Sequence, residues 1–218
     1  MDKILMDKIL MDKIFFACVA VFFGLSFSYR RCALDEWDAY LLRAAMACTV
    51  AADFCMLILY DNPAGLVCFC AAQTLYHFRF VRAGRRAALF SDQTSQVQTS
   101  QIFKTFRVFL FQAAACFAAL LFWPDWTRKL AVCYAVCLLC AVSAALIGAK
   151  KYPRPNRLIL SAGMTLFLLC DIHVGLYHWP NLSLKARAVY QILIWVFYLP
   201  SQLLLAFSAK NFSARGWR

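Results

Sequence analysis

Two aspartates lie where aspartates are costly. Asp53, in MACTVAADFCMLILY, and Asp171, in AGMTLFLLCDIHVGLYHW, sit inside long apolar runs, where an ionised carboxylate without a partner is strongly disfavoured. Asp53 stands seven residues before its run ends at 60, and Asp171 eight before its own ends at 179. If both runs are helices pointing the same way, each carboxyl lies about 10–12 Å below one surface, at 1.5 Å of rise per residue. Two acids in one dry site divide into one that keeps its proton and one that gives it up, so the pair can donate a proton and then accept one. Acting together they should face one cavity, about 5–10 Å apart, the span that two-carboxylate hydrolysis uses. The alternative is that each acid hydrogen-bonds a neighbouring Tyr, Gln or His and only pins the helices.

The elements that position these acids follow from composition. Of 218 residues, 63% are hydrophobic and 16% charged, with a mean hydropathy of +0.64, whereas soluble domains run near 45–50% apolar and about 25% charged. Too few polar residues remain to clothe a soluble fold. Seven apolar segments can be marked, at 12–29, 38–60, 63–81, 103–123, 128–149, 157–179 and 188–208, most near the roughly 20 residues that cross a bilayer. Nothing alternates as a barrel strand would, and lipid leaves a backbone no partner but itself, so the segments should be helices. Trp123, Trp126, Trp179 and Tyr60 stand at segment ends, where amphipathic rings favour the interface. The expected fold class is all-α, a polytopic transmembrane bundle of seven or eight helices.

Residues 12–210 should form one membrane domain. The stretch 1–11 belongs to a tandem repeat, MDKIL, MDKIL, MDKIF, whose period of five matches neither helix nor strand and predicts a non-structural segment. Residues 82–102, with SDQTSQVQTSQ, should be a polar loop. Residues 211–218 make a basic tail.

Net charge is +12, but the basic residues cluster between apolar runs rather than in a free stripe, so no nucleic-acid partner is expected and the lipid bilayer is. With alternating helices, sixteen Lys and Arg fall on one side, including Arg30, Arg79, Arg86, Lys150, Arg157 and Lys210, against seven on the other. The positive-inside rule then places the richer side and the C-terminus in the cytoplasm, and a bacterial plasma membrane is the expected host.

Eleven cysteines, mostly within apolar runs, read as small packing residues. Cys133, Cys137 and Cys140 share one helix face, a pattern that packs helices more readily than it binds metal. His77, His173 and His178 could be counted with Asp53 or Asp171 as zinc ligands, but His173 and His178 point about 140° apart on a helix. No metal and no cofactor is expected. Neither a GxSxG elbow nor a Walker-type glycine loop occurs in the chain.

The segments around the two acids resemble the YhhN-like family of polytopic membrane proteins, whose characterised members are lysoplasmalogenases. The family's Asp after Gly near one helix end corresponds to Ala52-Asp53. Its Gly-x3-Phe-x3-His-x2-Tyr pattern corresponds to Gly65, Phe69, Gln73 and Tyr76, and its Gly-x3-Phe-x2-Ser-Asp pattern to Gly163, Phe167, Cys170 and Asp171. Tyr134 in CYAVCLL, and Tyr198 with Gln202 in FYLPSQLLL, look like the family's later helices. Ala52, Gln73 and Cys170 stand where the pattern has Gly, His and Ser, so the chain resembles a divergent member; Gln73 cannot relay a proton but can orient a hydroxyl or water through its amide.

The resemblance implies a lysophospholipid substrate and hydrolysis of its vinyl ether bond. Asp53 and Asp171 would be catalytic, while Gln73, Tyr76, Tyr134, Tyr198 and Gln202 would form the polar wall around the substrate. Two other functions fit the buried acids. One is a non-catalytic or other-substrate member of the same fold. The other is a proton-coupled carrier of small solutes, against which stands the lack of an internal repeat of membrane helices.

Overall fold

The computed structural model describes residues 3–28, 36–89, 114, 116, 118, 121, 125–151 and 153–210. Among them are six long helices and no strand: α1 Lys3–Ser28, α2 Glu36–Asp53, α3 Asn62–Leu89, α4 Trp126–Lys151, α5 Pro155–Tyr177 and α6 Leu184–Phe207. Five stretches are long and apolar enough to cross a membrane, namely Leu10–Ser28, Glu36–Ile58, Trp126–Lys151, Pro155–Tyr177 and Leu184–Phe207. The chain is a multi-pass, all-helical membrane protein. The segment expected at 103–123 lies almost wholly outside the described residues, as does the tail at 211–218.

Local sequence explains where the helices start and stop. Glu36 and Asp38 place negative charge in the first turn of α2, and Lys150 and Lys151 place positive charge in the last turn of α4, both favourable to the helix dipole. Helix α5 opens on Pro155, whose missing N–H costs nothing at that position. The Ser183 side chain accepts the Ala186 N–H at the start of α6, and Asp61 Oδ1 accepts the Ala64 N–H at the start of α3.

Two stretches differ from expectation. The repeat, expected to lack structure, is helical from Lys3 as the first part of α1; its Leu, Met and Lys are strong helix formers, and propensity does not depend on the period of a repeat. Residues 82–89, expected to open the polar loop, are helical, because α3 continues to Leu89 through VRAGRRAAL, rich in Ala and Arg; the rest of the expected loop, 90–102, lies outside the described residues. At 28 residues α3 is about 42 Å long and overruns the roughly 30 Å hydrocarbon core. Polar residues within its apolar part, Gln73, His77 and Arg79 among them, keep it out of the apolar set of five.

Among the described residues the helices close a ring. Each packs on the next in the chain from α1 to α6, and α6 returns to pack on α1 and α2. Leu42, Met46, Tyr76, Met164, Phe167 and Leu205 are fully buried inside it. Phe15 of α1 stacks on Trp195 of α6, with ring centroids 3.8 Å apart, across the closing contact.

One end of the ring is locked by buried polar groups. Arg79 of α3 donates Nε to Asp38 Oδ1 at 2.9 Å and Nη2 to Asp38 Oδ2 at 2.8 Å, a two-pronged ion pair with α2. Its Nη1 donates to Ser208 Oγ, just past α6, at 2.8 Å. Asn156 Nδ2, at the start of α5, donates to the carbonyls of Ser208 and Lys210. The starts of α2 and α5, the end of α6 and Arg79, ten residues before the end of α3, therefore share one level, and this end carries the larger basic count.

Candidate functional site

The two aspartates lie toward the opposite end from that lock. Asp53 is the last residue of α2, 15 residues beyond Asp38, and Asp171 of α5 is 15 beyond Asn156, so each stands about 22 Å along its helix from the locked end. Equal offsets from a common level give equal depth. Asp53 is buried and Asp171 half-buried, and the two are within electrostatic reach of one another.

Each carboxylate is held by a tyrosine. Tyr198 Oη of α6 donates to Asp53 Oδ2 at 2.6 Å, and Tyr134 Oη of α4 donates to Asp171 Oδ2. Aromatic rings join these pairs: Tyr134 packs on Phe69 (5.6 Å between centroids), Phe69 on Phe167 (6.1 Å), and Phe167 on Tyr198 (5.6 Å). The four rings come from α4, α3, α5 and α6, so with Asp53 of α2 the site draws on five of the six described helices rather than on one hairpin. Cys170, buried beside Asp171, is within reach of both acids.

The backbone hydrogen-bond ladder is altered on both sides of the Asp53–Tyr198 bond. Directly after Asp53 the chain widens into a π-turn, Phe54–Ile58, closed by the Leu59 N–H to the Phe54 carbonyl at 3.1 Å. Such turns recur at functional sites because they re-aim side chains. Two residues after Tyr198, Pro200 lies inside the continuous helix α6 and has no N–H to give to the preceding turn. Gly65 lets α3 approach this region: a Cβ there would fall 2.2 Å from Met56 Cγ and 3.2 Å from the Ala52 carbonyl oxygen. Gly163 performs a similar service for α5 against Leu204 and Leu205.

The remaining expected wall residues lie nearer the basic end. Gln73, Tyr76 and Gln202 are fully buried. Among the described residues neither amide group of the two glutamines nor Ser201 Oγ has a hydrogen-bond partner, and Tyr76 Oη has the Thr49 hydroxyl beside it but outside good hydrogen-bond geometry. Sequence reasoning passed over Ser201, although Tyr198, Ser201, Gln202 and Leu205 follow the i, i+3, i+4, i+7 spacing of one buried helix face. It also passed over Asp12, buried in α1, and the Arg79–Asp38 pair.

The histidines are spread apart. His77 Nδ1 meets the Cys140 carbonyl at 3.3 Å, while His173 Nδ1 meets the Leu169 carbonyl at 2.6 Å and its ring stacks on Phe197. No group of three or more His, Cys, Asp or Glu among the described residues could hold a metal ion. The ten described cysteines are free thiols.

The model of the YhhN family matches residues 10–209, nearly the whole chain. The chain belongs to the YhhN family. No curated protein and no solved structure matches it. The match takes in both aspartates and both tyrosines that hold them.

Proposed function

We propose that this YhhN-family chain is a membrane-embedded hydrolase that cleaves the vinyl ether bond of lysoplasmalogens or a similar lysolipid ether, with Asp53 and Asp171 as its acid and base. The observation that carries the reading is the pair of tyrosine-held carboxyls at one depth, within electrostatic reach of each other. In each, the tyrosine engages Oδ2, which leaves Oδ1 for chemistry.

The reaction runs in two halves. One carboxylic acid gives its proton to the alkene carbon, and the enol-ether oxygen shares its electron pair to form an oxocarbenium ion. The second carboxylate takes a proton from water as the water oxygen bonds to the neighbouring carbon, the one that bears the ether oxygen and now carries the positive charge, which yields a hemiacetal. The hemiacetal then collapses to a fatty aldehyde and the glycerol hydroxyl. The logic is that of glycoside hydrolysis, where two carboxyl groups flank an oxocarbenium-like transition state.

In this reading Tyr134 and Tyr198 orient the acids, and Gln73, Tyr76 and Gln202 form the polar wall on the basic side. The locked, basic end faces the cytoplasm by the positive-inside rule, with the C-terminus there and a bacterial plasma membrane as host.

A second reading has support in the same bonds. A carboxylate accepting from a tyrosine across two helices is also what a purely structural pin looks like. Asn substitution separates the two, since an Asn side-chain carbonyl still accepts the tyrosine O–H but moves no proton. Aldehyde release from a lysoplasmalogen by the purified protein is the test. Asp53→Asn and Asp171→Asn should each lower turnover by about 10²- to 10⁴-fold or more, the usual worth of a general acid or base, without changing the unfolding temperature. A fully active Asn variant of either would sink the hydrolase reading.

A further inference from the structure

The unpartnered polar groups on α3 and α6 have positions that the bonds at the basic end fix. Arg79 Nη1 to Ser208 Oγ sets the register of the two helices, which run in the same direction. Gln73 is six residues before Arg79 and Gln202 six before Ser208, so both glutamines stand about 9 Å above that bond, at one level. Ser201 is adjacent to Gln202. Tyr76 starts lower, but a helical side chain leans toward its own N-terminus, which carries Tyr76 Oη up toward the same layer. Tyr198, the residue that holds Asp53, lies one turn of α6 above Gln202, about 6 Å. The layer thus lies on the basic side of the acid pair, about 13 Å along the helix axes from Asp53 and Asp171, with Tyr198 between the two levels.

All four residues are completely enclosed by the protein. Two amide oxygens, two amide nitrogens and the Ser201 hydroxyl there have no bond among the described residues, and Tyr76 Oη has only the Thr49 hydroxyl beside it, outside good hydrogen-bond geometry. Buried polar groups are rarely left so, because each loses its water without a replacement. Lipid tails cannot supply the missing bonds. The groups are all neutral and include both donors and acceptors, which fits a small neutral hydroxylic ligand and not an ion. Full enclosure favours the smallest such ligand, and a water molecule is at home where about two to four polar partners converge.

We propose that Gln73, Tyr76, Ser201 and Gln202 form a binding site for ordered water that supplies the acid pair from the basic side. What the water is used for rests on the hydrolase reading, where it is the second substrate; that the water is there does not.

Radiolytic hydroxyl-radical labelling read by mass spectrometry tests the two separately, because radicals form from bound water in place and need no turnover. The full chain in detergent is exposed to a brief X-ray pulse, with the exposed Tyr40 as dose reference. Tyr76, though fully buried, should be hydroxylated within about tenfold of Tyr40, and Gln73→Leu, Gln202→Leu and the double variant should lower its labelling by about fivefold or more, as their water loses its partners. An unlabelled Tyr76 in the unsubstituted protein overturns the proposal whether or not the variants fold, and so does labelling that folded variants leave unchanged.

A saturated alkyl-ether lysolipid, which has no vinyl bond to cleave, provides the second arm. Persistent labelling in its presence supports water as the occupant. Loss of labelling to background assigns the layer to the lipid's own hydroxyl and overturns water. Aldehyde release is measured alongside; if no protein releases aldehyde, the hydrolase reading falls while the outcome of the labelling stands.

Discussion

Asp38→Asn tests the lock at the basic end. Arg79 is 2% exposed and Asp38 18%, so the guanidinium is held inside the bundle and the carboxylate touches its surroundings at one edge. The substitution removes the negative charge and one of two acceptor oxygens, leaving Arg79 charged, with a single neutral acceptor at position 38 and its bond to Ser208 Oγ. Removing one partner of a buried ion pair costs about 3–5 kcal/mol; the partial exposure of Asp38 argues for the lower end, near 3 kcal/mol. For a chain of this length 1 kcal/mol moves the unfolding midpoint by roughly 2–4 °C, so the variant should unfold about 6–12 °C below the parent. A thiol-reactive dye in detergent reads this directly, because the buried Cys133, Cys137 and Cys170 become reactive only on unfolding. The companion variant Asp38→Leu with Arg79→Met should recover most of the loss, since no uncompensated charge remains. Ser208 does not suffer in it, because its hydroxyl also donates to the Leu205 carbonyl at 2.6 Å. A single variant within about 2 °C of the parent, or a double variant no better than the single, would show that the pair is no buried lock.

Tyr198→Phe should keep the fold and lower aldehyde release by about 10- to 100-fold, because Asp53 loses the donor that orients it; an unchanged rate removes Tyr198 from the site. Gly65→Leu should separate α3 from α2 and cost about 2 kcal/mol or more by overpacking against Met56, measured by the same dye assay, whereas Gly24→Leu, with open space around it, should cost little. Incubation with a strong metal chelator should leave aldehyde release unchanged, and a chelator-sensitive, zinc-restored activity would redirect the mechanism to the histidines.

The sequence was most informative where the membrane constrains it. Six of the seven expected segments correspond to described helices with ends shifted by a few residues, apart from the extensions of α1 through the repeat and of α3 through its arginines, because apolar length is dictated by bilayer thickness and charge marks the exits. The equal depth of Asp53 and Asp171 was legible for the same reason, since helical rise converts residue counts to distance. Which tyrosine meets which acid was not legible. Tyr198 and Asp53 are 145 residues apart, and only the ring closure of α6 onto α2 brings them together. Arg79 looked like a loop charge at a segment end, and nothing near it in sequence indicates that Asp38 and Ser208 turn it into an interior group. The π-turn after Asp53 left no trace in the apolar pattern either, since FCMLI would suit a regular helix equally well.

The Arg79 lock also bears on how the chain is built. Helix α3 is the least apolar of the six, and its buried arginine makes entry into lipid by itself unfavourable. Its first partner, Asp38, lies 41 residues upstream, so α2 has already been synthesised when α3 emerges, and the two can enter as a hairpin with the charge neutralised. The second partner, Ser208, lies 129 residues downstream and arrives only with the last helix. The hairpin that carries Asp53 and Gln73 therefore has to wait, incompletely satisfied, for nearly the whole remaining chain. A ribosome-stalled chain ending before α6 should accordingly hold α3 less firmly than the finished protein does.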